Sequence, residues 1–206
     1  EAIHTILSKT KEHLVLVTET GVVKRLESEE VQKTQNAKTV IKLKPGDRVV
    51  SAFCSPSKTD FGISASDGQF LRMPVSAVSV QGRGAAGIAG MKLKSGSVVV
   101  AAGTILGDDL LTTVLNNQTA KVTPLSEFES RGRNGVGVRV TKVPEDSKVT
   151  VAKIGSLTNL LAVMATDDDP KKADPNPVPF LLESSNRDLV STKTDRQILF
   201  LGISRW

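Results

Sequence analysis

A repeat with a period of fifty residues constrains the fold of this chain more than any other feature. Residues 41–52 match residues 91–102 position by position: both copies have Lys-Leu-Lys, a glycine two residues later and a following Val-Val pair. A weaker third copy, residues 143–152, keeps the same spacing. A fixed period of this length is typical of folds that place one structural unit beside the next.

Each unit opens with the same local pattern, an apolar run, a tight turn and then a basic residue. The second unit has Asp67-Gly68 before Arg72, and the third has Asn116-Asn117 before Lys121. These turn residues favour β-hairpins. The apolar runs are short and rich in β-branched residues, and helical periodicity is weak. About four short strands per unit is the size of a propeller blade, so we predict an all-β fold.

The repeat gives three clear blades and a degenerate fourth. The fourth begins at 160–164 and then meets the acidic, proline-rich stretch 167–177, which predicts an exposed loop. Further strand-like runs follow at 180–182, 189–190 and 198–201. We predict a single domain, residues 1–206, with blades at about 13–59, 60–109, 110–159 and 160–206. Residues 1–12 would complete the last blade, with strands from 1–8 and 198–203 closing the ring.

Two boxes of glycine and arginine also obey the period. Residues 81–90 contain four glycines and one arginine, and residues 131–138 repeat the arrangement fifty positions on. Gly82, Arg83 and Gly87 thus match Gly132, Arg133 and Gly137. Glycine adopts turn conformations that other residues rarely adopt, and a guanidinium group can donate two hydrogen bonds to a phosphate group. One box alone would indicate an ordinary turn, but its recurrence favours binding.

Charge and composition narrow the possible functions. The net charge is +5, and the excess lies in residues 61–142, where nine Lys and Arg face five Asp and Glu. A basic segment of this kind favours a nucleic-acid partner. The single cysteine excludes an internal disulfide, and the chain has no tyrosine. We find no phosphate-binding loop, catalytic triad order or metal-ligand spacing, and so predict no catalytic or metal site.

These motifs together resemble the C-terminal domain of type IIA bacterial topoisomerase A subunits. The resemblance covers residues 13–155 and rests on the blade openings 13–25 and 67–72, the box and residues 91–94. It implies a β-pinwheel, a propeller variant whose neighbouring blades exchange strands, and a domain that binds and bends duplex DNA. In that family, DNA is broken by a tyrosine in a separate N-terminal region, and the partner B subunit hydrolyses ATP.

The resemblance also implies partners and location. We expect this domain to bind duplex DNA, to adjoin the cleavage core of the same polypeptide and, in the holoenzyme, to work with the B subunit. We expect no cofactor in the domain itself, with ATP and Mg used by the core and the partner subunit. The isolated domain would be a monomer without enzymatic activity, and its parent an ATP-dependent DNA topoisomerase of the bacterial cytoplasm, associated with the nucleoid.

The boxes depart from the gyrase signature Gln-Arg-Arg-Gly-Gly-Lys-Gly. Residues 81–87 lack one arginine and the lysine, and residues 131–137 lack the lysine. Such degeneracy and about four blades favour topoisomerase IV, which relaxes and decatenates DNA, and residues 81–93 resemble the actinobacterial form of its A subunit. The alternative is a gyrase domain that wraps DNA for negative supercoiling.

We predict that basic residues at the blade corners and hairpins contact DNA phosphates. They are Arg83, Arg131, Arg133, Arg72, Lys24, Arg25, Lys121, Arg139 and Lys92. Two alternatives stay open. These side chains could simply form the solvated face of a stable domain, as most surface charges do. The domain could also be a scaffold for protein partners, because a propeller fold does not determine function.

Overall fold

The regular secondary structure is almost entirely β-strand in the computed structural model, which describes residues 12–32 and 39–203. A short helix, α1 (Ser28–Gln32), and two 3₁₀ turns, Val75–Ala77 and Leu125–Glu127, are the helical elements of the described residues. None of the helices in these ranges is long and apolar enough to cross a membrane. The strands are β1 (His13–Thr18), β2 (Val22–Glu27), β3 (Val49–Ser55), β4 (Asp60–Ala65), β5 (Gln69–Pro74), β6 (Ile88–Ala89), β7 (Val99–Ile105), β8 (Leu110–Leu115), β9 (Thr119–Pro124), β10 (Val138–Arg139), β11 (Val149–Gly155), β12 (Leu160–Met164), β13 (Val178–Pro179), β14 (Thr192–Lys193) and β15 (Ile198–Ile203).

The strands form four antiparallel sheets, which we number as blades 1 to 4. Their strand orders are β3-β1-β2-β6, β10-β5-β4-β7, β11-β8-β9-β14 and β13-β12-β15. The all-β prediction with four blades is therefore confirmed. The predicted hairpins are the centre of blades 1 to 3, and their turns contain Gly21, Gly68 and Gln118 at φ of 85°, 77° and 57°. In the third turn, positive φ falls on Gln118 and not on the asparagines before it.

Three of the four apolar clusters of the described residues lie between neighbouring blades, and the fourth, which contains Leu14, Leu16 and Leu26, lies within blade 1. One cluster joins Val15 and Val23 of blade 1 to Phe61, Ile63 and Met73 of blade 2. Two further clusters join blade 2 to blade 3 and blade 3 to blade 4. The strands β3, β7, β11 and β15 stack in that order, each against the next. Since period-2 alternation puts apolar side chains on the faces of each sheet, a single blade cannot bury its core without its neighbour.

The outermost strand of blades 1 to 3 comes from the following repeat. Strand β6 follows the hairpin of blade 2 in the chain but pairs with β2 of blade 1. In the same way β10 pairs with β5, and β14 pairs with β9. Each exchanged strand thus lies in one repeat of the chain but completes the sheet of the preceding blade. The strand exchange implied by the resemblance is confirmed.

Glycine is required where the exchanged strand meets its host. Gly137 has φ of +78°, and a Cβ there would lie 2.6 Å from the carbonyl oxygen of Phe70. Gly87 has φ of +89°, and its Cβ would lie 2.9 Å from the carbonyl oxygen of Val23. By contrast, a Cβ on Gly82, Gly84 or Gly132 would meet no atom within 4 Å. The boxes therefore contain two kinds of glycine, of which only the first serves packing.

Blade 4 departs from the repeat, as the sequence predicts. The loop 165–177 replaces the second hairpin strand, and the short β13 pairs with β12 in its place. Within the loop Thr166 N donates to Lys172 O, and Arg196, which precedes β15, donates from Nη1 to Asp174 Oδ2 at 2.9 Å. Strand β15 confirms the run at 198–201, but the predicted strands at 180–182 and 189–190 are wrong, and β13 ends just before the first of them. Residues 1–8 lie outside the described residues, so their part in ring closure stays a prediction.

Candidate nucleic-acid interface

Three extended segments cross from one blade to the preceding one, and we call them corner segments. Corner segment 1 is residues 80–91, corner segment 2 is residues 130–141 and corner segment 3 is residues 184–194. Each is anchored at both ends by backbone hydrogen bonds to the second hairpin strand and the turn of its host blade. The entry bonds are Gln81 N to Arg25 O, Arg131 N to Arg72 O and Ser185 N to Val122 O, all at 2.9 Å. The exit bonds are Gly90 N to Gly21 O, Val140 N to Gly68 O and Thr194 N to Gln118 O.

These anchors define which residues are equivalent. Arg83, Arg133 and Arg187 each lie two positions after the entry bond, so each corner presents one arginine at the same place. The first two were matched from the fifty-residue period. The third was missed, because corner segment 3 lacks glycine at the neighbouring positions and lies 54 residues after corner segment 2. The loop of blade 4 shifts the period there, so only the hydrogen-bond register identifies Arg187.

Successive corner segments touch each other. Lys92 N donates to Gly135 O at 2.9 Å, and Asn134 N donates to Gly90 O, which joins corner segment 2 to the end of corner segment 1. The hydroxyls of Thr141 and Ser191 hydrogen-bond at 2.9 Å between corner segments 2 and 3. The three segments therefore form one continuous ridge along the outer edge of the blades, which we call the rim.

Two predicted DNA contacts lie inside the protein. Lys24 is fully buried, and its Nζ donates to the carbonyls of Arg83 and Ala85 at 2.6 and 2.7 Å. Lys121 is also buried, and its Nζ donates to the carbonyls of Arg187 and Leu189. Burial lowers the pKa of both amines. The prediction that these ammonium groups lie on the surface is wrong: each holds the backbone of a corner segment from beneath.

The arginines of the hairpins, like the buried lysines, donate hydrogen bonds to backbone carbonyls. Arg25 is buried, and its Nη1 donates to Val75 O and Val78 O at 3.3 and 3.1 Å. Arg72 Nη1 donates to Leu125 O and Phe128 O at 3.2 and 3.4 Å. These carbonyls belong to the 3₁₀ turns that lead into corner segments 1 and 2. The surface location predicted for Arg25 is therefore wrong, and Arg72 is half-buried and already paired.

A different side chain orients each of these arginines. Asp60 Oδ2 accepts from Arg72 Nε at 2.7 Å in blade 2. In blade 1 His13 takes that place, and its Nε2 lies 2.6 Å from Arg25 Nη2 while its Nδ1 lies 3.3 Å from Glu27 Oε2. Burial lowers the pKa of His13, and the Arg25 charge lowers it further, against an opposing effect of Glu27. The contact with Arg25 therefore requires neutral imidazole.

The other predicted contacts lie on or near the surface of the rim. Arg131, Arg133, Arg139 and Lys92 are exposed, and Arg83 is half-buried. Arg133 Nη1 donates to Ala89 O at 3.3 Å, which directs its guanidinium along the ridge towards corner segment 1. Corner segment 2 carries three arginines and no acidic residue. The structure thus brings five predicted residues together on the rim and separates Lys24, Arg25, Lys121 and Arg72 from them.

The strand-exchanged β-propeller and its basic rim place this chain in a known class of protein domain. The family described as DNA gyrase C-terminal domain, beta-propeller, matches residues 12–56, 65–105 and 119–154, more than half of the chain. The chain belongs to this family and is a C-terminal domain of the kind found in type IIA topoisomerase A subunits.

Individual relatives agree with this assignment. The A subunit of DNA gyrase from Kosmotoga olearia is 34% identical over 148 residues, which are 68% of this chain and 18% of that protein. The corresponding protein of Pseudomonas aeruginosa is 25% identical over 155 residues, 75% of this chain and 17% of that protein. The chain therefore spans less than a fifth of the length of these relatives.

Solved structures share the fold. The C-terminal domain of DNA topoisomerase IV superposes with a TM-score of 0.83 at 21% identity, covering 94% of this chain and 62% of that one. A DNA gyrase A C-terminal domain superposes with a TM-score of 0.77 at 22% identity, covering 94% of this chain and 66% of that one. At these identities the likeness shows the fold alone.

Replacing Lys24 with methionine should destabilise the domain. The side chain keeps its length, but the carbonyls of Arg83 and Ala85 lose their donor, and unpaired buried acceptors cost about 1–3 kcal/mol. Urea unfolding of Lys24→Met should show this loss, whereas the exposed Lys92→Met should change stability by less than about 0.5 kcal/mol. Equal stability of the two variants would show that the buried ammonium does not hold corner segment 1.

Acidification should destabilise blade 1 through His13. Because the folded-state pKa is below the ordinary value of 6.5, the unfolded chain binds the proton more readily. The contribution of His13 to the free energy of unfolding should therefore be fully present above the ordinary pKa and fall as the pH drops through it, until the folded-state pKa is passed. Urea midpoints at about pH 7.5 and about pH 5.5 measure this fall. In His13→Gln the part of the fall that begins near pH 6.5 should vanish, and an unchanged profile would contradict the assignment.

Proposed function

We propose that this domain binds duplex DNA along the rim without reading its sequence, and bends it. The observation that carries the proposal is the recurrence of Arg83 and Arg133 at equivalent places on two corner segments that touch each other. Guanidinium groups repeated along one ridge suit a polyanion with regularly spaced phosphates. Contacts to phosphates position a duplex but carry no base information.

The glycines beside the arginines support the same proposal. Gly82, Gly84 and Gly132 are exposed, and a side chain there would meet no protein atom within 4 Å. Packing within the domain therefore gives no reason for glycine at these positions. A missing side chain does let a duplex approach the backbone and its N–H groups. We assign these glycines to the approach of DNA, in contrast to Gly87 and Gly137.

Bending follows from the shape of the ridge. Each corner segment completes a different blade, and the blades are arranged around the stacked strands β3, β7, β11 and β15. We therefore expect that a straight duplex cannot contact several corner segments at once. Bending a site of 20–30 base pairs costs about 1–6 kcal/mol, which additional phosphate contacts must offset. We therefore expect a preference for flexible DNA but no consensus sequence.

For the parent protein we propose ATP-dependent relaxation and decatenation of DNA with a B subunit, in the bacterial cytoplasm at the nucleoid. The domain would present DNA segments to the strand-passage core of the same polypeptide. The support is the absence of lysine from residues 81–87 and 131–137, which departs from the gyrase signature. The second candidate is negative supercoiling, which the names of the curated relatives favour.

Replacing Arg133 with alanine should weaken DNA binding and flatten its salt dependence. If about six to ten phosphates are contacted, affinity should fall about 10³–10⁵-fold between 50 and 200 mM salt. Removal of one contact should reduce the slope of log K against log salt by about 1. Fluorescence anisotropy with a duplex of random sequence measures both quantities.

The matched control for Arg133→Ala is Lys148→Ala. Lys148 is exposed but lines a cavity of about 530 Å³ with Arg48 and Val98, at the stacked strands and away from the rim. It should bind like the unmodified domain. Absence of binding at low salt, or equal slopes for both variants, would contradict the proposed function and favour a scaffold for protein partners.

The reaction catalysed by the full-length protein with its B subunit distinguishes the two topoisomerase roles. On relaxed plasmid with ATP and Mg²⁺ we expect no negative supercoiling, and on catenated circles we expect complete unlinking. Two-dimensional gels resolve the sign of the supercoils. Negative supercoils made from relaxed plasmid would overturn the assignment and identify a gyrase-type domain.

A further inference from the structure

Corner segment 3 differs from the other two by a carboxylate beside its arginine. Asp188 Oδ2 lies 3.7 Å from Arg187 Nη2, and Asp188 Oδ1 lies 3.5 Å from Arg139 Nη2 of corner segment 2. All three side chains are at least one-third exposed. One carboxylate thus faces the two guanidinium groups that a duplex would meet on passing from corner segment 2 to corner segment 3.

The equivalent positions in the other corners carry no charge. The hydrogen-bond register aligns Asp188 with Gly84 in corner segment 1 and Asn134 in corner segment 2. Arg83 and Arg133 therefore have no acidic residue next to them in sequence. Three corners anchored by equivalent hydrogen bonds thus differ at this position, where only corner segment 3 carries a carboxylate.

We propose that Asp188 ends the path of the duplex, so that DNA phosphates contact corner segments 1 and 2 and do not engage corner segment 3. This inference rests on the proposed function. An exposed ion pair is itself weak, but a phosphate that displaces it would be placed beside the carboxylate, and like charges repel. Asp188 is thus a residue that sets the length and bend of the bound DNA.

Asp188 also affects Lys121 electrostatically, and the test must separate this structural role from the proposed role in the DNA path. Its charge opposes the effect of burial on the pKa of Lys121, whose ammonium holds corner segment 3 from beneath. A purely structural Asp188 would lower stability when neutralised and leave the DNA path as it is. Thermal unfolding of each variant, measured beside DNA binding, distinguishes this role from the proposed one.

The first test compares Asp188→Asn with Asp146→Asn in the full domain. Both remove one negative charge, but Asp146 lies in the turn before β11, outside the corner segments. We expect Asp188→Asn to steepen the salt slope by about 1 to 2, because each further phosphate contact adds about 0.9. We expect no change of slope with Asp146→Asn. Equal slopes for the two variants would overturn the proposal.

A charge-neutral exchange provides the second test. Asn134 has φ of +64°, a conformation that aspartate also tolerates, so Asn134→Asp places a carboxylate at corner segment 2 without changing shape. Combined with Asp188→Asn it moves the charge from one corner to the next and leaves the net charge unchanged. Hydroxyl-radical footprinting and end-to-end energy transfer on a labelled duplex should report a shorter footprint and a smaller bend than the unmodified domain gives.

The outcomes separate the two proposals. If the unmodified domain binds DNA through Arg133 but neither Asp188→Asn nor the exchange alters footprint or slope, only the role of Asp188 is overturned. If the unmodified domain does not bind duplex DNA, the proposed function itself fails. A loss of stability in Asp188→Asn with an unchanged footprint assigns Asp188 to support of Lys121 and overturns its role in the DNA path.

Discussion

The fold depends on the backbone hydrogen bonds that anchor each corner segment to the preceding blade. Gln81 N and Gly90 N bind Arg25 O and Gly21 O, and equivalent pairs recur at the other two corners. Because the segment belongs to the next repeat, these bonds complete one sheet and couple two blades at once. Three apolar clusters of the described residues join neighbouring blades, so they depend on this coupling. Without it, the second hairpin strand would be an open edge.

Strand exchange also explains why the hairpins carry buried cations. A segment that crosses between blades bonds its host through few backbone groups, which leaves carbonyls that need donors. Lys24, Lys121 and Arg25 supply these donors, and their desolvation is offset by several hydrogen bonds each. Their charges lie beneath the rim and still contribute to its field. The basic residues of the hairpins therefore serve folding directly, whereas Arg131, Arg133 and Arg139 of the corners are exposed and Arg83 is half-buried.

Local signals in the sequence were sufficient to predict the hairpins, the four blades and the paired boxes, because turn residues and a fixed period can be recognised in short stretches of the chain. The place of Lys24 could not be predicted in this way. A basic residue in a strand looks exposed, and the carbonyls it binds lie 59 and 61 residues further along the chain. Arg187 could not be identified from the sequence for another reason. The loop of blade 4 lengthens the spacing between repeats, and corner segment 3 contains no glycine. Only the register of hydrogen bonds restores the equivalence.

Under the proposed function, each corner segment contains separate residues for folding and for binding. Gly137 lies against its host strand, where a Cβ would meet backbone, while Gly84 and Asp188 occupy a position that contacts solvent. A substitution at the second kind of position changes the charge offered to DNA and costs little stability. Under the proposed function, the length of duplex that this domain binds would depend on the charge at this position and not on the fold. This independence accounts for boxes that keep their backbone register although their arginines and lysines differ.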